Sequence, residues 1–321
     1  MGEGMTYADT ISSSIADWLA TDKNVVLMGI DVLDGLYGTT TCLAERFPNR
    51  VIVTPVAEES IIGIANGMAM AGLRPIVCFQ RADFLMLAMN QLVNISAKAK
   101  DMWGGQIKCP IIVRAIVGRS WGQGAQHTQS NYSFFHHVPG FGVSLPAAPA
   151  DVRDFWANVK ELDDPVIVFE HRMLFDKTDD DWDFQENDPQ PQVMLVGVSH
   201  MLWECQQAAR LLRASGLFVG VHNLTSQFSI ESDVPVLMVD NDWIQCGFVQ
   251  QVASMLMAKG LQKVAILGHE RTSCPTAREL ERRFYPNAAS IAQVAWQMVT
   301  GEVKKFATLA GTKKLYSNNQ T

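Results

Sequence analysis

Apolar residues along the chain fall into two alternating rhythms. Short runs at Val25 to Met28, Val51 to Val53, Pro75 to Phe79, Ile111 to Val113 and Val166 to Phe169 are continuous and rich in β-branched side chains. Such runs predict strands covered on both faces. Between them, Tyr7 to Leu19, Ser60 to Ala71, Leu85 to Ala99 and Val152 to Val159 return apolar positions at helical spacing. The alternation predicts an α/β domain built on a mostly parallel sheet over residues 1–175.

From Asp176 to Pro191 the chain turns acidic and proline-bearing, with no apolar period, so residues 176–191 are expected to form a linker. A second alternation follows: strand Val193 to Val198, helix Leu202 to Leu212, strands Phe218 to His222 and Val236 to Val239, helix Phe248 to Met257, and strand Val264 to Leu267. It predicts a smaller α/β domain over 192–304, with a polar tail over 305–321. No internal repeat interrupts this plan.

Length agrees with two domains, since 321 residues exceed the roughly 100 to 200 of one unit. The formal net charge of -7 and the absence of any run of basic residues exclude a nucleic-acid footprint. No apolar stretch is long enough for a membrane span, and the N-terminus has no basic-then-apolar leader pattern. These features predict a soluble intracellular protein, cytoplasmic or in a mitochondrial or plastid matrix. The six cysteines, Cys42, Cys78, Cys109, Cys205, Cys246 and Cys274, are widely spaced and form no C-x-x-C pair. They are read as small core residues rather than metal ligands or disulfide partners.

Three segments carry candidate chemistry. Thr54 to Glu59 (T-P-V-A-E-E) spans the end of a strand and the start of a helix, where ligands collect in open α/β sheets. An acid there also suits the helix dipole, so position alone leaves Glu58 and Glu59 open between catalysis and capping. The helix that follows is rich in small residues, Gly63, Ala65, Gly67, Ala69, Ala71 and Gly72. Close packing on its own sheet and close packing on another subunit would both explain it, and helical glycine needs some such compensation. Gly118 to Ser130 (G-R-S-W-G-Q-G-A-Q-H-T-Q-S) places three glycines and His127 after a strand, as a ligand-approaching loop or a plain turn.

An ordered series of motifs decides among these alternatives. Thr54-Pro55-Val56-Ala57-Glu58, Gly72-Leu73-Arg74-Pro75, Ala82-Asp83-Phe84, Gln91-Leu92-Val93-Asn94, Met102 with Gly104-Gly105-Gln106, Gln126-His127-Thr128-Gln129-Ser130 and His137-Val138-Pro139-Gly140 succeed one another in the first half. Val239-Asp240, Gly247-Phe248, Cys274-Pro275, Leu280-Glu281 and Tyr285-Pro286 continue the series in the second. From about residue 5 to residue 303 the chain resembles the beta subunits of thiamine-diphosphate-dependent 2-oxoacid dehydrogenases, of the transketolase-like superfamily.

The resemblance implies a parallel-sheet pyrimidine-binding domain followed by a smaller transketolase C-terminal domain. It also implies thiamine diphosphate as cofactor. The glutamate matching Glu58 then hydrogen-bonds a ring nitrogen of the aminopyrimidine and favours the tautomer that takes the thiazolium proton. Phe84 matches the aromatic packed against that ring, and His127 the histidine that faces the substrate. His137 matches a structural position, while His136 is extra and has no role. The Gly-Asp-Gly that binds Mg2+ in complete thiamine enzymes is missing from the sequence. The metal and diphosphate are therefore expected on an alpha subunit, in an alpha2beta2 heterotetramer.

Several positions depart from the family pattern: Ile30, Cys78 and Asn90 replace acidic residues, and Arg81 takes a position held by an aromatic or small residue. Arg81 is expected to bind an anionic substrate. Asn223-Leu224-Thr225-Ser226 lacks the arginine common there. The expected activity is decarboxylation of a 2-oxo acid with transfer of the acyl group to a lipoyl acyltransferase component. The alternative is a split transketolase-like or acyloin-forming carboligase that uses an aldehyde acceptor. A non-catalytic regulatory subunit is the third reading, and it requires Glu58 to be dispensable.

Overall fold

The structure is a computed structural model that describes residues 4–119, 122–182, 188–224, 230 and 232–307. The middle of the expected linker (183–187), Thr225 and Ser226, and the expected tail beyond 307 lie outside the described residues. Contacts divide the chain into two compact units, Met1–Gly118 with His127–Trp182, and Arg119–Gln126 with Asp183–Thr321.

In chain order the first unit contains α1 (Tyr7–Thr21), β1 (Val25–Gly29), α2 (Leu43–Arg46), β2 (Val51–Val53), α3 (Glu58–Met70) and β3 (Arg74–Phe79). An irregular helical segment then leads into α4 (Ala99–Met102), followed by β4 (Ile112–Val117), α5 (Tyr132–His136), β5 (Gly142–Ser144), α6 (Pro149–Asn158) and β6 (Val166–His171). All six strands pair in parallel in the order β2-β1-β3-β4-β6-β5. β1, β3, β4 and β6 are buried along most of their length, as their unbroken apolar runs require. The chain leaves β1 toward one edge and later fills the other, so the crevice at the carboxyl ends of β1 and β3 is a topological switch point.

Helix α1 starts at a capping box in which Asp9 N donates to Thr6 Oγ1 and Thr6 N donates to Asp9. The acidic segment expected to be linker from Asp176 is anchored over its first part. Thr6 and Thr178 form an antiparallel bridge, Arg153 pairs with Asp179, and Asp179–Asp181 makes a short helical turn. Hydrogen bonds and charge hold this stretch, which is why apolar periodicity did not reveal it.

The expected helix Leu85 to Ala99 is broken. It runs as 3-10 turns over Ala82–Ala88, one π turn over Asn90–Ile95 and a further 3-10 turn over Ser96–Lys98. The cause is side-chain competition at one carbonyl: Gln91 O accepts from Ser96 N, from Ser96 Oγ and from Asn66 Nδ2 on α3. Ser96 Oγ also lies 2.6 Å from Asn66 Oδ1. Gly140 explains its own motif, because at φ 101° a Cβ there would run into the Ala97 carbonyl oxygen.

One ion pair lies inside the first sheet. Arg114 on β4 donates from Nε and one terminal nitrogen to the two carboxylate oxygens of Glu170 on β6, at 2.9 and 2.6 Å. Its other terminal nitrogen donates to Cys78 Sγ at 3.3 Å. Cys78 is thus an interior sheet residue whose thiol burial pushes up, with Arg114 opposing.

The second unit contains β7 (Val193–Gly197), α7 (His200–Arg213), β8 (Val219–Asn223), β9 (Val236–Trp243), α8 (Phe248–Ala258), β10 (Val264–His269), α9 (Arg278–Phe284) and α10 (Ala288–Thr300). Its four strands are parallel in the order β10-β9-β7-β8. Leu195, Val219, Leu237 and Val239 pack with Cys205, Leu212, Ile291 and Ala295 in its core. β9 runs four residues beyond its apolar run, through buried Asp240, Asn241 and Asp242. Burial, then the neighbouring Asp242, raises the Asp240 carboxyl far above its ordinary value. Arg119–Gln126, adjacent in sequence to β4, belong to this unit: Arg119 lies 3.4 Å from Glu204, and Gly122 N donates to Glu281.

Candidate active site

Four chain segments meet the carboxyl edge of the first sheet. The loop after β1 carries Asp31 and Tyr37, the start of α3 carries Glu58 after β2, the segment after β3 carries Gln80 to Phe84, and the turn after β6 carries Arg172. α3 packs on the segment Ala82–Ala88, which contains the expected aromatic, Phe84.

Glu58 is the first residue of α3, two residues earlier than apolar spacing suggested. It is 7 % exposed, and among the described residues no group hydrogen-bonds or pairs with its carboxylate. Its carboxylate oxygens are not among the side-chain atoms sealed from solvent, so they open at the edge of the sheet where a ligand could meet them. Glu59, next along, is exposed and accepts from Asn90 Nδ2, so the departure at Asn90 serves a contact on the helix surface.

Phe84 and His127 meet edge to face, with ring centroids 5.3 Å apart and planes at 90°. Both are half-buried. The contact is fixed from beneath by a pair of hydrogen bonds that sequence reasoning did not assign: Gln129 N and Nε2 donate to Asp83 Oδ1 at 3.1 and 2.9 Å. Asp83 and Gln129 both lie within quoted motifs, so the signal was present without a role. Burial raises the Asp83 carboxyl, while the Gln129 hydrogen bonds and the charge of His127 lower it.

Arg81 is 4 % exposed and caps the segment after β3. Its guanidinium carbon lies 5.7 Å from the ring centroid of Tyr37, and Arg172 lies 3.9 Å from the same centroid on its own account. Gln80 Nε2 donates to Asp31 beside them. Tyr37 and Arg172 were not picked out by sequence reasoning, because an isolated Tyr in a loop and an Arg after a strand carry no spacing signal. Ile30 lies in the same loop as Asp31, and His137 is exposed at the end of α5. His136 is held neutral, burial pushing its imidazole down to about 4.

Of the expected site residues, the structure brings Phe84 and His127 into contact, sets Arg81 in the preceding turn, and leaves Glu58 at the neighbouring helix start. Among the described residues, no stacking or hydrogen bond joins Glu58 to the other three. The outer face of α3 is small and open. Ser60, Ile64, Gly67 and Ala71 line it, all exposed, and a Cβ added at Gly67 would meet nothing within 4 Å. Close packing within this unit therefore does not account for Gly67.

Comparisons with known proteins bear on the family and the fold. Residues 3–177 match the transketolase pyrimidine binding domain, and residues 184–291 match the transketolase C-terminal domain. The mitochondrial pyruvate dehydrogenase E1 component subunit beta of Dictyostelium discoideum is 31 % identical over 79 % of this chain and 78 % of its own length. The acetoin:2,6-dichlorophenolindophenol oxidoreductase subunit beta of Cupriavidus necator is 26 % identical over 94 % and 99 %. Among solved structures, a split gene transketolase in an inactive beta4 tetramer superposes with a TM-score of 0.75 at 17 % identity, covering 93 % of this chain and 99 % of that one. The transketolase from Leishmania mexicana superposes at 0.71 and 15 % identity, with 98 % of this chain on 48 % of that one. With its sheet order, its two matched domains and this degree of identity, the chain belongs to the transketolase-like family that includes the beta subunits of the pyruvate dehydrogenase E1 component.

Proposed function

We propose that this chain is the beta half of a thiamine-diphosphate-dependent enzyme that decarboxylates a 2-oxo acid, and that it acts only with an alpha subunit. The carrying observation is Glu58: a carboxylate at the turn from β2 into α3, 7 % exposed and without a partner among the described residues. A carboxyl group there can share a proton with an aminopyrimidine ring nitrogen, and the half-buried Phe84 ring offers the apolar face for its plane. Thiamine diphosphate, when bound, supplies the carbon nucleophile that attacks the substrate carbonyl.

The chain's own residues then have distinct tasks. Glu58 would meet the pyrimidine ring nitrogen through its carboxyl group and so orient that ring at the start of α3. His127, braced against Phe84, presents an imidazole to the reacting oxygen or carboxylate, to donate a hydrogen bond or move a proton. Asp83 fixes the loop through Gln129, so the imidazole does not need to be ordered at each turnover. Arg81 supplies a positive charge for an anionic substrate.

The alpha subunit would hold the diphosphate and Mg2+, since the Gly-Asp-Gly motif is lacking here. Its docking surface is supported by the open stripe on α3 and by exposed Val56 and Leu87 nearby in the chain. The acyl acceptor is a lipoyl arm on an acyltransferase component.

The chain co-expressed with its candidate alpha subunit is expected to form an alpha2beta2 complex that decarboxylates a 2-oxo acid and reduces lipoamide. Glu58→Gln is expected to leave the complex assembled and to lower turnover by about 100-fold or more. Unchanged turnover refutes the role of Glu58, and tight cofactor binding with turnover by the chain alone refutes the division between subunits. Formation of a new carbon-carbon bond with an aldehyde, indifferent to lipoamide, replaces the dehydrogenase with the carboligase.

A further inference from the structure

Two guanidinium groups converge on one aromatic ring at the carboxyl edge of the first sheet. Arg172 lies 3.9 Å and Arg81 5.7 Å from the Tyr37 centroid. Arg81 is almost wholly buried, and among the described residues its guanidinium makes a single hydrogen bond, a long donation of 3.4 Å to the carbonyl of its neighbour Gln80. No carboxylate pairs with it among the described residues. Asp31 is occupied by Gln80, and Asp83 by Gln129.

Arginine does not shed its proton in a protein, so burial cannot neutralise this group as it can a histidine or lysine. A second positive charge faces it instead. Burial lowers Arg172 below its ordinary value, the charge of Arg81 acts the same way, and Tyr37 opposes both. Among the described residues the Arg81 charge is therefore left for an anion to answer.

The loop that presents Tyr37 makes an independent case. Gly35, Leu36, Tyr37 and Gly38 have φ values of 82°, 39°, 57° and 90°, four successive residues in the left-handed region. Glycine enters this region freely, but Leu36 and Tyr37 do so against steric resistance. Strain of this kind concentrates where a side chain must be held in place for a ligand.

We propose, on the basis of the decarboxylase reading above, that Arg81 and Arg172, both beside Tyr37, form a subsite for a second anionic group of the substrate, a carboxylate or a phosphate. The planar fork of arginine matches both groups in bidentate fashion. The carboxylate that departs as carbon dioxide is a poor occupant. Its charge is lost in the reaction, and cations gripping it would hold the ground state more tightly than the transition state. A remote anion keeps its charge throughout, so binding it costs nothing at the chemical step.

The test uses the complex with the alpha subunit, in wild-type form and with Arg81→Gln or Arg172→Gln. Its melting temperature is followed during titration with inorganic phosphate and, separately, with succinate. Saturable stabilisation of the wild type is expected, with apparent affinity about tenfold weaker in either variant, the loss of one charge-assisted hydrogen-bonded contact. Response to phosphate alone assigns a phosphorylated substrate, and response to succinate alone a dicarboxylic one. In turnover, the preference for 2-oxoglutarate over its distal monomethyl ester should fall about tenfold through KM, if the second group is a carboxylate. Absence of any saturable response to either anion, or equal responses in wild type and both variants, overturns the subsite and leaves the decarboxylase reading standing. Anion binding in a complex whose turnover ignores Glu58→Gln keeps the subsite and sinks that reading instead.

Discussion

Two buried arginines, a few residues from one another across the first sheet, are treated in opposite ways. Arg114 in the middle of the sheet has a bidentate partner in Glu170 and a thiol acceptor in Cys78. Arg81 at the carboxyl edge has a neighbour's carbonyl, an aromatic ring and a second cation. Inside the sheet every charge is answered by the chain itself. At the edge the answer is left out, as it is for the Glu58 carboxylate one helix away. The contrast separates a charge the chain pairs within the sheet from charges it leaves unpaired among the described residues, and burial alone would not have made that distinction.

The largest expected effect tests the interior. Arg114→Met leaves Glu170 buried and uncompensated, and should cost about 3 to 5 kcal/mol in denaturant unfolding. Adding Glu170→Met should return much of that loss. A cost under about 1 kcal/mol would mean that the interior pair is as dispensable as an exposed one.

His136 provides an intermediate case, a buried base that discards its charge. Its pKa falls from 6.5 to about 4 through burial. Between those values the unfolded chain takes a proton that the folded chain refuses, so stability falls as pH drops through this window. His136→Phe should remove about 2 kcal/mol of that fall, seen as a flatter dependence of unfolding free energy on pH. An unchanged slope would place His136 in water.

The smallest effect has the opposite sign. Arg81→Met should stabilise the chain by about 1 kcal/mol in an anion-free buffer, because it removes an unanswered buried charge. A loss of stability comparable to that of Arg114→Met would erase the comparison.

Much of the fold was legible because it is written in apolar runs. β1, β2, β3, β4 and β6 all follow such runs, as do the four strands of the second unit. What escaped notice was decided by polar groups acting at a distance. β5 is a three-residue, half-buried edge strand, too short to show a period. β9 passes through Asp240, Asn241 and Asp242, where polarity suggested an end. At the site, Phe84 and Arg81 were named from motif resemblance alone, while the glycine-rich loop after β4 had already put His127 forward without choosing between a ligand loop and a plain turn. Tyr37 and Arg172 were invisible because their meeting depends on a left-handed loop and on strands that are not neighbours in sequence.

The Gln91 carbonyl has a consequence for the order of folding. One of its three donors is Asn66 Nδ2, on a residue of α3 that lies 25 positions earlier. Until that helix is docked, nothing at this point favours a wide turn over a regular one, and the segment from Ala82 to Lys98 can take the straight helical path its apolar spacing describes. Its final shape is then a late event, imposed by a neighbour rather than encoded locally. Pulse-labelled amide exchange would record this as slower protection at Ser96 than along α3, and simultaneous protection of the two would mean that the bend forms by itself.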